Sequence, residues 1–192
     1  MVTDSASAAR LMTSETVAVL GAGGDLGFPV ARNLARAGIA VRAWDFPDGY
    51  RESLARDGAY VADSPGDAAR GAGIVLTMLP GPDALVAVME EGVLARMRET
   101  HQDQHTIWLQ LAPIGEAATQ RCIWLAGRYG VGFVDAPVLG NRGSAEQGTL
   151  IVLESGPEEA RPRVQPLFDV IGQRTIRAGQ AGAGARLKDL AP

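Results

Sequence analysis

The chain has 192 residues, 46% of them hydrophobic and 21% charged, with a formal net charge of −4 and an isoelectric point near 5.2. That length admits one substantial core, and the composition is ordinary for a globular chain. The acidic balance, with no run of Arg or Lys, argues against a nucleic-acid surface, and no apolar stretch is long enough to span a membrane.

Residues 1–15 are small and polar and lack the apolar core of a signal peptide, so they read as a disordered tail. Thr16–Leu20 is a short apolar, β-branched run that predicts a strand. Gly21, Gly23, Gly24 and Gly27 crowd the turn after it. Phe28–Ala37 has helical apolar spacing and Gly38 stops it. Ile39–Trp44 predicts a second strand, with Asp45 at its end. Strand, glycine turn, helix, strand and acid are, in that order, what a dinucleotide site needs. Glycines let the backbone approach a pyrophosphate, and a helix N-terminus offers free N–H groups. The acid about 20 residues on accepts hydrogen bonds from ribose hydroxyls. The expected cofactor-binding residues are therefore Gly21, Ala22, Gly23, Gly24, Asp25, Leu26, Gly27 and Asp45.

The spacing is irregular. Counted from Gly21, the third glycine of G-x-G-x-x-G falls on Leu26; counted back from Gly27, the first falls on Ala22. Asp25 sets a carboxylate where a pyrophosphate would repel it, and its expected role is to cap the helix.

Further on, Pro47–Asp57 is polar and amphipathic, Tyr60–Val61 a short edge strand and Pro65–Arg70 a short helix. Ile74–Leu79 is a continuous apolar run typical of a buried parallel strand. Pro80-Gly81-Pro82 breaks it, and Asp83–Glu90 resumes as helix. His101–His105 reads as a polar loop rather than a metal site. Ile107–Leu111 predicts a strand, Glu116–Arg128 a helix and Gly132–Asp135 a sixth strand. Ala136–Gly148 reads as a loop, Leu150–Leu153 as a strand, Glu158–Ile171 as a helix, Thr175–Ile176 as a short strand and Arg186–Leu190 as a last helical start. This alternation predicts a doubly wound parallel sheet of Rossmann type, three layers αβα. Asp135, at a strand's carboxyl end, reads equally as functional or as a cap for the loop after it. Cys122, in a predicted helix, reads as a packed and inert thiol. As a lone cysteine it fits a reducing cytoplasm.

Several motifs, in order, resemble the β-hydroxyacid dehydrogenase family, the group of 3-hydroxyisobutyrate dehydrogenase. They are Leu26-Gly27-x-Pro29-x-Ala31-x-Asn33-Leu34, Ala62-Asp63-Ser64-Pro65, Met78-Leu79-Pro80, Asp135-Ala136-Pro137-Val138, Gly148-Thr149-Leu150 and Gly182-Ala183-Gly184-x-x-x-Lys188. The resemblance implies a nicotinamide-dependent oxidoreductase that moves a hydride between the cofactor and a short hydroxy acid. It implies that Met78, Leu79 and Pro80 pass along the cofactor, and that Lys188 is the catalytic acid or base. It implies that Gly140 and Asn141 stand in the substrate loop. The chain departs from the family there, with Val138-Leu139-Gly140-Asn141 where a serine and two glycines are usual. It departs again at Gln110-Leu111-Ala112-Pro113, where two hydroxyls are lost. Trp44 resembles the imine reductases, relatives of the same architecture.

The resemblance also implies domain organisation: residues 16–180 as the dinucleotide-binding domain and 181–192 as the start of an interdomain helix, with the family's second, helical domain absent. Lys188 is then expected to be solvated on a frayed helix, and exposed apolar surface to favour a homo-oligomer. Asp45 favours NAD over NADP, because a carboxylate repels a 2′-phosphate; Arg42 and Arg51 are the nearest cations that would compensate. The expected partners are a nicotinamide dinucleotide and a small-molecule substrate. The competing reading is a non-catalytic NAD(P)-binding module.

Overall fold

The computed structural model describes residues 15–45, 48–100 and 106–190. The expected tail and His101–His105 fall on undescribed residues. Glu15 is the exception: the Arg163 guanidinium holds its carboxylate, so this end of the tail is tied to the fold.

The first half alternates strand and helix. β1 (Thr16–Leu20) leads to α1 (Gly27–Arg36), β2 (Ala40–Trp44), α2 (Asp48–Arg56), β3 (Tyr60–Val61), α3 (Pro65–Ala69) and β4 (Ile74–Thr77). α4 (Pro82–Val88) does not end at Glu90 as its sequence suggests. The chain kinks through Met89–Val93, where Gly92 has φ 121°, and runs on as α5 (Leu94–Thr100). β5 (Ile107–Gln110), α6 (Glu116–Tyr129) and β6 (Gly132–Asp135) follow.

The stretch read as a loop after β6 is structured. It holds β7 (Val138–Leu139) and α7 (Arg142–Glu146), after which come β8 (Leu150–Ser155), α8 (Arg161–Ile171), β9 (Gly172–Gly179) and α9 (Ala183–Asp189). β9 is longer than Thr175–Ile176 because its pairing with β8 orders polar residues that carry no period-2 signal.

The strand order is β3-β2-β1-β4-β5-β6-β8-β7, with β9 on β8. β1 to β6 pair in parallel. The sheet is not parallel throughout, since β8 runs antiparallel to both β6 and β7. Alternate residues of the central strands enter opposite cores. Val17, Val19, Ile74, Leu76, Ile107 and Leu109 pack under α1 and α8, with Leu34, Val164 and Phe168. Ala18, Leu20, Val75 and Trp108 pack under α4, α5 and α6, with Leu85, Leu94 and Leu125. Two buried faces explain why these strands read as continuous apolar runs, and they make the three layers.

Candidate functional site

The carboxyl ends of the strands line up in one row. Trp44 pairs with Leu20, Leu20 with Thr77, Thr77 with Gln110, Gln110 with Asp135 and Asp135 with Ser155. β1 sits where the chain reverses its direction of travel across the sheet, with β2 on one side and β4 on the other. Ligands of open α/β sheets bind at such a switch point, beyond the strands' carboxyl ends. A cleft of about 500 Å³ lies there. Gly21, Gly23, Gly24, Asp25, Leu26 and Gly27 form one wall, Asp45 stands at one end, and Met78, Leu79, Pro80, Gly81, Ala112 and Pro113 form the rest.

The geometry explains the irregular glycine spacing. Gly21 has φ +94°, and a Cβ there would come within 2.6 Å of the Met78 carbonyl oxygen. Gly27 opens α1 so close to the strand that a Cβ would collide with the Gly21 carbonyl oxygen. Both positions demand glycine; Gly24 has ordinary room. The N–H groups of Gly21 and Ala22 both donate to the Trp44 carbonyl, at 3.1 and 3.0 Å. Ala22 is therefore buried as a structural turn residue, and of the expected cofactor residues it alone does not line the cleft.

Asp25 does not cap α1. That helix has no side-chain cap and no acid in its first turn. The N–H groups of Asp25 and Leu26 have no acceptor among the described residues. Asp25 is 90% exposed and lies 3.7 Å from Arg142. α7 brings Arg142 there, because Asn33 of α1 donates to the Ala145 carbonyl at 2.9 Å.

Asp45 has φ 64°, the one non-glycine residue with positive φ among those described, and it is exposed. The neighbouring cations are engaged. Arg42 donates to the Asp67 and Ala68 carbonyls and the Asp67 carboxylate, with its guanidinium 4.0 Å from the Tyr60 ring centroid. Arg51 donates to Asp63 at 2.8 Å.

The middle of the row is a buried polar chain. The Trp108 indole N–H donates to the Thr77 hydroxyl at 2.9 Å, and that hydroxyl donates to Gln110 Oε1 at 2.5 Å. The Gln110 amide donates in turn to the Ala112 carbonyl at 2.7 Å. Gln110 thus shapes the cleft wall at Ala112–Pro113 rather than presenting a polar group to a ligand.

Asn141 caps α7: its Oδ1 accepts from the Ser144 N–H at 3.1 Å. Gly140, at φ +138°, would strike the Leu150 side chain if it carried a Cβ. Neither residue lines the cleft.

Asp135 is 1% exposed. Its carboxylate caps a helix, but 50 residues on: Oδ2 accepts from the Ala185 N–H at 2.7 Å. Ser155 Oγ accepts from the Gly184 N–H at 2.9 Å and lies 3.4 Å from Asp135 Oδ2. Burial pushes the Asp135 carboxyl up to about 6, against the opposing pull of these hydrogen bonds and of Arg186. α9 is therefore anchored at its start, not frayed there, and Lys188 is half-buried. Lys188 is also the only lysine in these 192 residues; the other seventeen cationic side chains are arginines. A guanidinium does not release its proton near neutral pH, whereas an ammonium in a suitable site does. Sequence reasoning missed Ser155; its only signal is its pairing partner. Cys122 is buried, and burial pushes its thiol up to about 12, which makes it inert.

Comparisons with known proteins agree with this geometry. The family model of the NAD binding domain of 6-phosphogluconate dehydrogenase matches residues 16–179. The NAD-dependent L-serine dehydrogenase of Pseudomonas aeruginosa is 32% identical over 163 residues, 84% of this chain and 53% of that protein. The 3-hydroxyisobutyrate dehydrogenase of the same organism is 31% identical over 170 residues, 88% of this chain and 55% of that one. The structure of Mycobacterium tuberculosis 3-hydroxyisobutyrate dehydrogenase with L-serine superposes with a TM-score of 0.82 at 30% identity, covering 91% of this chain and 57% of that one. The chain spans about half the length of the curated relatives it matches. Among the described residues no helix is long and apolar enough to cross a membrane.

Proposed function

We propose that this chain, which belongs to the family of the NAD binding domain of 6-phosphogluconate dehydrogenase and binds a nicotinamide dinucleotide, prefers NAD and serves hydride transfer to or from a small hydroxy acid. The oxidised partner of the hydroxy acid is the corresponding carbonyl; an imine, reduced to an amine, is the alternative hydride acceptor. The observation that carries the reading is the cleft itself: a glycine loop with free N–H groups at a switch point, and an exposed carboxylate at the ribose end. Gly21, Gly23, Gly24, Asp25, Leu26 and Gly27 cradle the pyrophosphate, Asp45 takes the adenosine ribose hydroxyls, and Met78–Pro80 flank the cofactor. The commitment of Arg42 to α3 supports NAD, since it leaves Asp45 uncompensated.

When bound, the dinucleotide supplies the hydride acceptor or donor. Lys188 takes the hydroxyl proton during oxidation and returns it during reduction, so a hydroxy acid and the oxidised cofactor give an oxo acid, the reduced cofactor and one proton. Residues 16–180 form the dinucleotide domain, and α9 starts the helix toward the substrate side. The lone, buried cysteine supports a cytoplasmic setting. Exposed Trp124, Leu187 and Leu190 support self-association, which sedimentation at rising concentration reads directly.

A second reading, a module that binds the dinucleotide without turnover, is favoured by the substrate side. Gln110 and Asn141 are both engaged internally, and Ala112 and Pro113 offer no hydroxyl. Calorimetric titration with NADH and NADPH, followed by turnover assays with short hydroxy acids and cyclic imines, separates the readings. NADH binding with turnover supports the enzyme, and NADH binding without it supports the module. A chain that binds neither cofactor sinks both.

A further inference from the structure

We propose that Asp135 and Ser155 are positioning residues that clamp the helix carrying Lys188 to the carboxyl edge of the sheet. The proposal rests on the reading of Lys188 as the proton-transfer residue.

Several features converge at the clamp. Asp135 and Ser155 face each other across the β6–β8 pair, at the carboxyl ends of the two strands. Between them they accept the first two N–H groups of α9 that point back at the sheet, from Gly184 and Ala185. The approach is so close that a Cβ at Gly184 would collide with the Leu153 carbonyl and lie 3.1 Å from Asp135 Oδ2. Arg186, on the same turn, reaches Glu116 of α6 at 3.1 Å, an exposed pair that adds a weaker second contact. Lys188 follows within one turn of the anchored residues, so its direction is set by the clamp.

A purely structural explanation fits less well. A seven-residue helix needs no buried carboxylate, because a neutral side chain caps its start without the desolvation that pushes Asp135 upward. The ionised carboxylate gives the stronger, directional acceptor. The clamp trades stability for a fixed lysine.

The single lysine gives a direct readout. Reductive methylation with 13C-formaldehyde labels Lys188 and the terminal amine, and Lys188→Arg assigns the two resonances. The expected result for the wild-type chain is a dimethyl-Lys188 resonance that shifts when NADH is added. In Asp135→Ala and Ser155→Ala, NADH quenching of intrinsic fluorescence persists, and amides 184–190 exchange at least tenfold faster. In both variants the Lys188 resonance moves to the position of a free dimethyl-lysine and ignores NADH. Asp135→Asn, which keeps one acceptor oxygen, restores part of the NADH response. A responsive Lys188 resonance left intact in Asp135→Ala overturns the clamp alone. A wild-type resonance indifferent to bound NADH overturns the reading of Lys188, and the clamp's role with it.

Discussion

The Arg42 guanidinium donates to the Asp67 carbonyl at 2.8 Å and to the Asp67 carboxylate at 3.1 Å, both on α3. It is thereby held away from the end of the cleft where Asp45 stands, and leaves that carboxylate's charge unopposed by it. Asp45→Asn should weaken NADH binding roughly tenfold, through loss of a charge-assisted acceptor. The same change should tighten NADPH binding, because a 2′-phosphate is no longer repelled. Parallel titrations with both cofactors check this; equal losses for the two would count against the assignment of Asp45.

The glycine loop separates two kinds of glycine. Gly27→Ala drives a methyl into the Gly21 carbonyl, with backbone on both sides and nothing to yield. It should lower stability by about 2 kcal/mol or more and abolish NADH binding. Gly24→Ala meets its nearest neighbour at 3.7 Å and should fold normally. Thermal melts of the two variants make the comparison.

Asp25 and Arg142 face each other at 3.7 Å on the cleft rim. In the proposed site Asp25 would oppose a pyrophosphate, and Arg142 would offset that opposition. Asp25→Asn should tighten NADH binding by up to roughly fivefold at low salt, the effect of one unit charge near 4 Å in water. Arg142→Gln should weaken it by a similar factor, and the double variant should return near the wild type. Salt should compress all these differences. Affinities that do not move with either change would remove the pair from the site.

Asp135 gives a pH signature. Its carboxyl sits at about 6 in the fold against an ordinary 3.8, so the folded chain holds a proton that the unfolded chain has released between those values. The contribution of this residue to stability is full below about pH 4 and lost as pH rises through about 6. The groups facing it are Arg186 and Asp189 on α9, Ser155 on β8 and Cys122 on α6. The melting temperature of the wild type relative to Asp135→Asn should therefore rise as pH falls from 7 to 5. A difference that stays flat over that interval would show that Asp135 is not held protonated in this range.

Much of the cleft's lining was readable from residue order. Gly21–Gly27 and Asp45 lie within one βαβ unit, where local periodicity and turn chemistry report directly on structure. The misreadings share one cause. Asn141, expected in the substrate loop by resemblance, closes its side chain onto Ser144 three residues on, a capping role the sequence reading did not include. Asp25 looked like a helix cap, yet α7 supplies an arginine that draws it outward. The Ala136–Gly148 stretch looked irregular, since two-residue and five-residue elements are too short to show a period.

The sequence by itself determined the alternation of strands and helices, the two-sided burial of the central strands, and the glycine loop with its acid. Those features depend on neighbours a few residues apart, where backbone sterics and hydrophobic spacing act. Only the tertiary structure decided that Asp135, Ser155 and Gly184 meet, that Arg42 turns to α3, and that Gly27 presses on the Gly21 carbonyl. Asp135 and Ala185 are 50 residues apart; sheet register and the antiparallel return of β8 bring them together, and neither is written in any local pattern.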